Sequence, residues 1–555
     1  MRLNRVAANL VPILYEDDHV LVVDKPAGPA VASSRDRGRA DLHALLPDLL
    51  AAAGHGGAGT TGGLIPVERL DRFASGPVLF AKSEEVASAL GRALPGPTAT
   101  HRYVAVVRGR PRQRYLLNRT ASRPRPRESG PKPLDHKAPG PGLQLDLQDT
   151  GHDLSLVRFE VPPTAQADVR RELFLMGIPI LNDVRHSRRS DRRQSGRYFL
   201  HRTELRVRHP VTGRPLVVKS PPPEAFRAAV QGRLYVGEHL RTALATRLSC
   251  LLDPGVEALR LLTGQHEGVP GLVVEAFGPV LILDVQQGRF QGNTDLLRHI
   301  GHWYVRTLGV SSVYLRQSPK DRSGSPGRPS DPGLLTPLVG QPADAEFVIR
   351  ERGLRFRIRP TSGSNVGLFL DQRENRRRVR EVAEGRHVLN LFAYTCGFSV
   401  AAAAGGAASV TSVDLSKSRL EAGKENFAIN GLPLEPHTFV CSEVFAYFVR
   451  ARRQGRLFDL IIIDPPTFAR AKHPRRSFTL EKDLRPLVAD ALALLAPGGA
   501  LLLSTNSRKA SKHWLLDQVA AAAGPRPFAV TGAPPLPDDF AVDPDHAKSV
   551  LVRFS

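Results

Sequence analysis

At 555 residues the chain is too long for a single apolar core, and its 41% hydrophobic and 24% charged content is that of a soluble multidomain protein. A net charge of +23, shared by both halves of the chain, favours a polyanionic partner. Three cysteines exclude a disulfide framework and a CxxC metal pair, and there is no apolar run of 18 residues, so a cytoplasmic protein with no metal and no membrane span is expected.

In chain order, His19–Val23 is a β-rich run ending in Asp24-Lys25-Pro26-Ala27-Gly28, with Pro and Gly where turns favour them. Val67–Lys82, VERLDRFASGPVLFAK, sets Asp71 in a polar turn ahead of a strand at Pro77–Ala81, and the flanking Arg69 and Arg72 favour the ionised carboxylate. A strand follows from His101-Arg102-Tyr103, and Val169-Arg170-Arg171-Glu172-Leu173 leads into Met176–Asp183. The Pro-, Gly- and Arg-rich residues 95–142 and the run Arg185–Arg197 are expected as basic loops, read either as phosphate contacts or as solvated faces.

In this order the segments ILYEDDHVLVVDKPAG, ERLDRFASGPVLFAK, HRYVAVVRG, ADVRRELFLMGIPILND and LHRTELRVRHPVTG resemble the pseudouridine synthases that modify large-subunit ribosomal and transfer RNA. The resemblance covers residues 12–226 and implies a mixed-sheet domain in which Asp71 is the catalytic aspartate, with Tyr103 and Arg170 completing the site. Such a site acts on a uridine flipped out of its stack. The chain departs from the family at Glu68, where His is usual, at Ala74, where Thr is usual, and at residues 162–168 (PPTAQAD), which replace an RTHQ-type sequence. Those groups ordinarily contact RNA. The domain is therefore read either as an isomerase or as a non-catalytic RNA-binding module.

Pro221–Pro223 closes this region, and the leucine spacing over residues 233–250 predicts a connecting helix. Two β-rich runs follow in Ala258–Val285, and the Pro/Gly/Ser-rich Gln317–Asp344 is left unassigned. From Phe347 the pattern becomes αβ alternation. The strand His387–Phe392 ends in Asn390-Leu391-Phe392-Ala393-Tyr394-Thr395-Cys396-Gly397-Phe398, the strand Val410–Val413 in Asp414, and a third in Cys441-Ser442-Glu443. The apolar run in Phe458–Phe468 (FDLIIIDPPTF) ends in Asp464-Pro465-Pro466-Thr467-Phe468, where two prolines stop strand and helix alike. That leaves a carboxylate and a ring at the carboxyl edge of a doubly wound sheet, where ligands of such sheets bind. An acid after the second strand is placed to accept ribose hydroxyls.

Gly367–Arg376 (GLFLDQRENR), Val388–Ala407, Ser412–Ser416 and Asp464–Phe468, preceded by the β-rich Arg260–Gly278, resemble the class I S-adenosylmethionine-dependent methyltransferases. More narrowly they resemble the ribosomal large-subunit methyltransferase I and K/L families, over roughly residues 240–555. The resemblance implies three domains: residues 1–230, synthase-like; 231–345, a connecting helix, a small β-rich RNA-binding domain and a linker; and 346–555, a Rossmann-like seven-stranded methyltransferase. It implies S-adenosylmethionine bound by Asp371, Arg373, Asn390, Phe392, Tyr394, Thr395, Gly397, Asp414, Glu443 (toward the adenine) and Asp464. Asp464 and the Pro465 carbonyl are expected to accept from a base, Pro466 to stiffen the loop, and Phe468 to stack. Cys396 stands where the family has glycine. The partner implied is 23S ribosomal RNA or its precursor.

Cytosine carbon methylation requires a thiolate nucleophile. The methyltransferase I branch carries it in a Ser-Cys-Ser after the fifth strand, and here the corresponding sequence is Ser504-Thr505-Asn506-Ser507. A guanine nitrogen needs only an oriented lone pair. Guanine nitrogen methylation, giving a 7-methylguanine-like product, is the favoured reading, with cytosine-5 methylation as the alternative.

Overall fold

The computed structural model describes residues 3–32, 41–55, 63–96, 98–112, 144–161, 169–186, 197–233, 236–286, 290, 292–317, 336–361, 365–471, 476–532 and 534–555. The PPTAQAD sequence, and the larger part of the segments 95–142, 185–197 and 317–344, lie outside the described residues.

The N-terminal region is built from two sheets with antiparallel strand pairs. One has the order Ile13–Glu16, Val20–Lys25, Gly76–Ala81, Ile65–Pro66. The other has the order Asp146–Thr150, Leu154–Val161, Thr100–Arg108, Leu200–Arg208, Pro215–Lys219. A parallel bridge between Ser75 and His201 joins them. Gly76 has to be glycine, because its φ is 121° and a Cβ would lie 2.2 Å from the Arg202 carbonyl oxygen.

The predicted connecting helix is two short helices, Val236–Ala245 and Leu248–Leu252. Beyond it a five-stranded sheet contains three strands, rather than two, within Ala258–Val285, and the helix Thr294–Leu308 packs Leu297, Ile300 and Tyr304 inward. The expected boundary at residues 230/231 separates sheets but not cores. One cluster of buried apolar side chains runs from Leu3 and Leu10 through Val78 and Tyr103 to Leu244, Leu262 and Ile300. A second crosses the boundary at 345/346, packing Ala258, Phe277 and Ile282 against Ile349, Leu420 and Phe540.

The last region holds a seven-stranded sheet with strands β1 (His387–Leu391), β2 (Ser409–Asp414), β3 (Thr438–Cys441), β4 (Phe458–Ile463), β5 (Leu495–Thr505), β6 (Phe528–Val530) and β7 (Lys548–Phe554). Their order is 3-2-1-4-5-7-6, with β7 antiparallel to its neighbours. The continuous apolar run of β4 follows from cover on both faces. Ile461 and Ile463 join Leu389, Leu501 and Leu503 in one cluster, whereas Leu460 and Ile462 join Val388 and Leu502 in another. The register pairs Ile463 with Leu391 on one side and Leu503 on the other. Asp464 therefore emerges between Phe392 and Ser504, and this is how the sheet positions the site.

Candidate active site

A cavity of about 770 Å³ opens at the carboxyl ends of β1 to β5. Its wall includes Asp371, Gln372, Phe392, Tyr394, Asp414, Arg419, Glu443, the segment Asp464–Phe468, Phe478 and Asn506. That volume is within the range of small-molecule sites.

The loop after β1 is sharply folded. Phe392, Tyr394 and Cys396 adopt φ values of 56°, 51° and 62°, a left-handed conformation that non-glycine residues take at a cost. Asp414 fixes the fold: its Oδ2 accepts from the Tyr394 N–H at 2.9 Å and its Oδ1 from the Ser416 N–H at 2.8 Å. Each oxygen keeps a further lone pair for a ligand. Glu443 caps the helix Val444–Arg453, its Oε2 accepting from the Ala446 N–H (2.9 Å), which fixes the direction of its carboxylate.

Asp371 lies on the cavity wall with His546 Nε2 at 3.5 Å. Burial works against its ionisation, but the His546 ring and Arg260 together hold its carboxyl below the usual carboxylate range. Asp464 behaves oppositely. Burial pushes its carboxyl up to about 7 and the Asp371 charge adds to that, while the Ser504 hydroxyl, donating at 2.6 Å, opposes it. Phe468 stands half-exposed at the start of a hairpin (Phe468–Ala471 with Arg476–Thr479), and Pro465 and Pro466 line the wall beside it.

Four expected cofactor residues do not line this cavity. Arg373 is a structural residue, buried in a pair with Asp539 (2.8 Å) beside Glu351 (3.4 Å). Asn390 is buried and donates to Ser399 Oγ at 2.9 Å, and Thr395 donates to the Gly367 carbonyl at 2.6 Å. Gly397 begins the helix Gly397–Ala404, packed against Arg376 and Leu368. These four support the loop from behind. The residues that motif reading missed are Gln372, Arg419, Phe478 and Asn506. Gln372 stood within the quoted DQR sequence and Asn506 within the sequence after β5. Arg419 and Phe478 had no signal, being brought in by a helix and a hairpin.

The second expected site lies in the N-terminal region. Lys25 is fully buried and its Nζ shares its three N–H bonds among the carbonyls of Pro26, Pro29, Arg72 and Ala74 at 2.8–3.0 Å, which ties down the loop carrying Asp71. Asp71 remains about half-exposed and pairs with Arg170 Nη1 at 3.1 Å, while Asp183 holds the same guanidinium from the other side at 2.6 and 2.8 Å. Tyr103 makes no hydrogen bond to this pair among the described residues, although the Asp71 charge acts on its hydroxyl. It is buried, stacked on Phe159 (5.7 Å), and its hydroxyl accepts from Arg202 at 3.1 Å. The ring beneath Arg170 is Tyr198, 4.2 Å away, whose hydroxyl is pushed far up by burial and by Asp71. Glu68, where the family has His, is buried against Arg202 (2.6 Å) and His101 (3.2 Å).

A 3-2-1-4-5-7-6 sheet with an acid after β2 and Asp-Pro-Pro after β4 defines a class I S-adenosylmethionine-dependent methyltransferase. Residues 331–553 match the family described as S-adenosylmethionine-dependent methyltransferase, and residues 19–140 match that described as RNA pseudouridylate synthase. A ribosomal RNA large subunit methyltransferase of Deinococcus radiodurans is 33% identical over 357 residues, covering 63% of this chain and 83% of that protein. The ribosomal RNA large subunit methyltransferase K of Neisseria meningitidis serogroup B is 43% identical over 166 residues, covering 30% and 47%. Methyltransferase I of Yersinia pseudotuberculosis is 36% identical over 273 residues, covering 49% and 64%. The chain thus spans less than two thirds of the latter two. A methyltransferase solved with SAH superposes with a TM-score of 0.52 at 26% identity, covering 61% of this chain and 85% of that one. The chain belongs to the ribosomal RNA large subunit methyltransferase family. Among the described residues no helix is long and apolar enough to cross a membrane.

Proposed function

We propose that the chain methylates a guanine nitrogen of 23S ribosomal RNA, with a 7-methylguanine-like product. In this reading Asp371, Phe392, Tyr394, Asp414 and Glu443 hold S-adenosylmethionine, which supplies an electrophilic methyl group when bound. Asp464 and the Pro465 carbonyl then hold the base, on which Phe468 stacks. The observation that carries the choice of atom is that none of the three cysteines lines the cavity. Cys396 is buried behind the loop, where burial pushes its thiol up to about 12, so it offers no thiolate for attack on cytosine. The division into residues 1–230, 231–345 and 346–555 remains the functional description, with the first two parts presenting RNA to the third. The test is mass spectrometry of 23S rRNA nucleosides from strains with and without the gene. Loss of 7-methylguanine supports the assignment, and loss of 5-methylcytosine instead overturns it.

The Asp71–Arg170 pair favours a second reading, in which the N-terminal module also isomerises uridine. An accessible carboxylate backed by a fixed arginine is what that chemistry requires. Asp71→Ala should then remove a pseudouridine from the RNA. Identical pseudouridine maps in mutant and wild type would leave a non-catalytic RNA-binding module.

A further inference from the structure

Around Asp464 the GLFLDQRENR sequence and the end of β5 assemble a hydrogen-bonded group on the cavity wall. Ser504 spends its one O–H on Asp464 Oδ1 at 2.6 Å. The amide nitrogen of Gln372 reaches the same Oδ1 at 3.3 Å and Ser504 Oγ at 3.4 Å. The amide oxygen of Gln372 accepts from Asn375 Nδ2 at 2.6 Å, which fixes the nitrogen end toward Asp464. Gln372, Asn375 and Ser504 are 3%, 7% and 1% exposed, so solvent does not compete for these bonds. The bonds from Ser504 and Gln372 both fall on Oδ1 of Asp464 and neither on Oδ2, and Asp464 lines the cavity beside Pro465 and Phe468.

We infer that Gln372 and Ser504 are positioning residues for methyl transfer, clamping Oδ1 of Asp464 so that Oδ2 is the acceptor presented to an N–H of the target base. This rests on the methyltransferase reading of the cavity. The charged groups acting on Asp464 are Asp371, which opposes its ionisation, and Arg376, which favours it, with His546 screening Asp371 from the far side. Ser504 and Gln372 together set the direction of the carboxylate, and the Ser504 bond, which favours the ionised form, also sets the pH range in which it accepts.

The test uses the full-length protein with Ser504→Ala, Gln372→Leu and Ser504→Thr. The readouts are S-adenosylmethionine affinity by calorimetry, the unfolding midpoint, and single-turnover transfer of labelled methyl to 23S rRNA across about pH 5.5–9. Ser504→Ala and Gln372→Leu should lower the rate roughly 10–100-fold and leave cofactor affinity within about 3-fold. Ser504→Ala should also move the acid limb of the rate profile upward by about half a unit or more, since it removes the bond that favours the ionised carboxylate. Ser504→Thr keeps the hydroxyl and should restore both rate and limb. If the rate is unchanged, if it falls in Ser504→Ala with the limb unmoved, or if cofactor affinity falls as far as the rate, the positioning role is wrong. Should Gln372→Leu not fold, the Ser504 pair decides alone. A wild-type protein that transfers no methyl to RNA would overturn the underlying reading, an outcome distinct from all of these.

Discussion

Cys396 and Gly423 supply a prediction whose sign depends on their contact. Gly423 lies inside the helix Lys417–Ile429, where replacing glycine by alanine ordinarily gains about 1 kcal/mol. Here a Cβ would lie 2.4 Å from Cys396 Sγ and 2.8 Å from Cys396 Cβ. Cys396 cannot swing away, because its backbone is held in the left-handed region at the start of the next helix. Contacts this short belong at the upper end of the about 1–3 kcal/mol that overpacking costs, so after the helix gain of about 1 kcal/mol Gly423→Ala should be destabilising by about 1–2 kcal/mol. In the Cys396→Gly background both clashing atoms are gone and the nearest remaining atom is the Thr395 carbonyl carbon at 3.5 Å. The same substitution should then stabilise by up to about 1 kcal/mol, a coupling of roughly 2–3 kcal/mol between the two positions. Displacing Cys396 also pulls on Tyr394, so Gly423→Ala should weaken S-adenosylmethionine binding about 10-fold, equivalent to about 1.4 kcal/mol. The assay is urea unfolding of the four variants, following the transition that the cofactor shifts, with a cofactor titration of each. A neutral or stabilising Gly423→Ala in the wild-type background, or equal effects in both backgrounds, would refute the reasoning.

Asp464→Asn keeps an oxygen for Ser504 and Gln372 but turns the cavity-facing atom into a donor, so methyl transfer should fall at least about 100-fold with cofactor affinity retained. The folded-state value of Asp464 is raised, so its ionisation opposes folding as pH climbs from the ordinary carboxylate range through about 7. The Asn variant should therefore unfold later than wild type at about pH 8.5 and show no such advantage at about pH 4; an equal advantage at both would contradict the burial argument. Asp539→Ala removes the nearer carboxylate from Arg373, which is 2% exposed and keeps Glu351 at 3.4 Å, and should cost about 3 kcal/mol in thermal or urea unfolding, whereas exchanging the Arg373–Asp539 pair for apolar residues should cost much less. RNA affinity should fall with salt at a slope of about −0.7 per single-strand phosphate contact, and a salt-insensitive affinity would point away from a polyanion.

The fold was readable where pattern and chemistry coincide. The apolar run of β4 ending in Asp-Pro-Pro fixes strand, edge and carboxylate at once, and Asp414 follows from the same rule on β2. What was not readable depends on which way a side chain turns. In the GLFLDQRENR sequence Asp371 and Gln372 face the cavity while Arg373 and Arg376 turn into buried pairs with Asp539 and Glu351. Spacing alone cannot separate them, because their partners lie far away in sequence. The partners of Tyr103 and Glu68 were hidden for the same reason: Arg202, a residue of a distant strand, binds both. Linear motifs locate the loop that carries a site, and long-range ion pairs decide which of its residues belong to it.

The same ion pairs bear on how the two candidate sites relate. The segment between β6 and β7 reaches into the middle region, where Asp539 accepts from the Arg260 N–H at 2.8 Å and its carbonyl from Arg247 at 3.1 Å, while Asp538 accepts from Ser249 at 2.6 Å. His546 of that segment meets Asp371 on the cavity wall. On the other side, a Cβ on Gly28 would lie 3.0 Å from Thr246, and the Gly28 N–H donates to the Arg72 carbonyl, next to Asp71. A chain of packed contacts therefore runs from the methyltransferase cavity to the Asp71 loop. Sites joined by a flexible tether would share a substrate through effective concentration, tuned by linker length. Sites joined through packed interfaces instead offer RNA one spacing, so an RNA that engages both must match it. Basic charge in both halves of the chain suits that arrangement, because the phosphate contacts that position a bound RNA are then distributed along it.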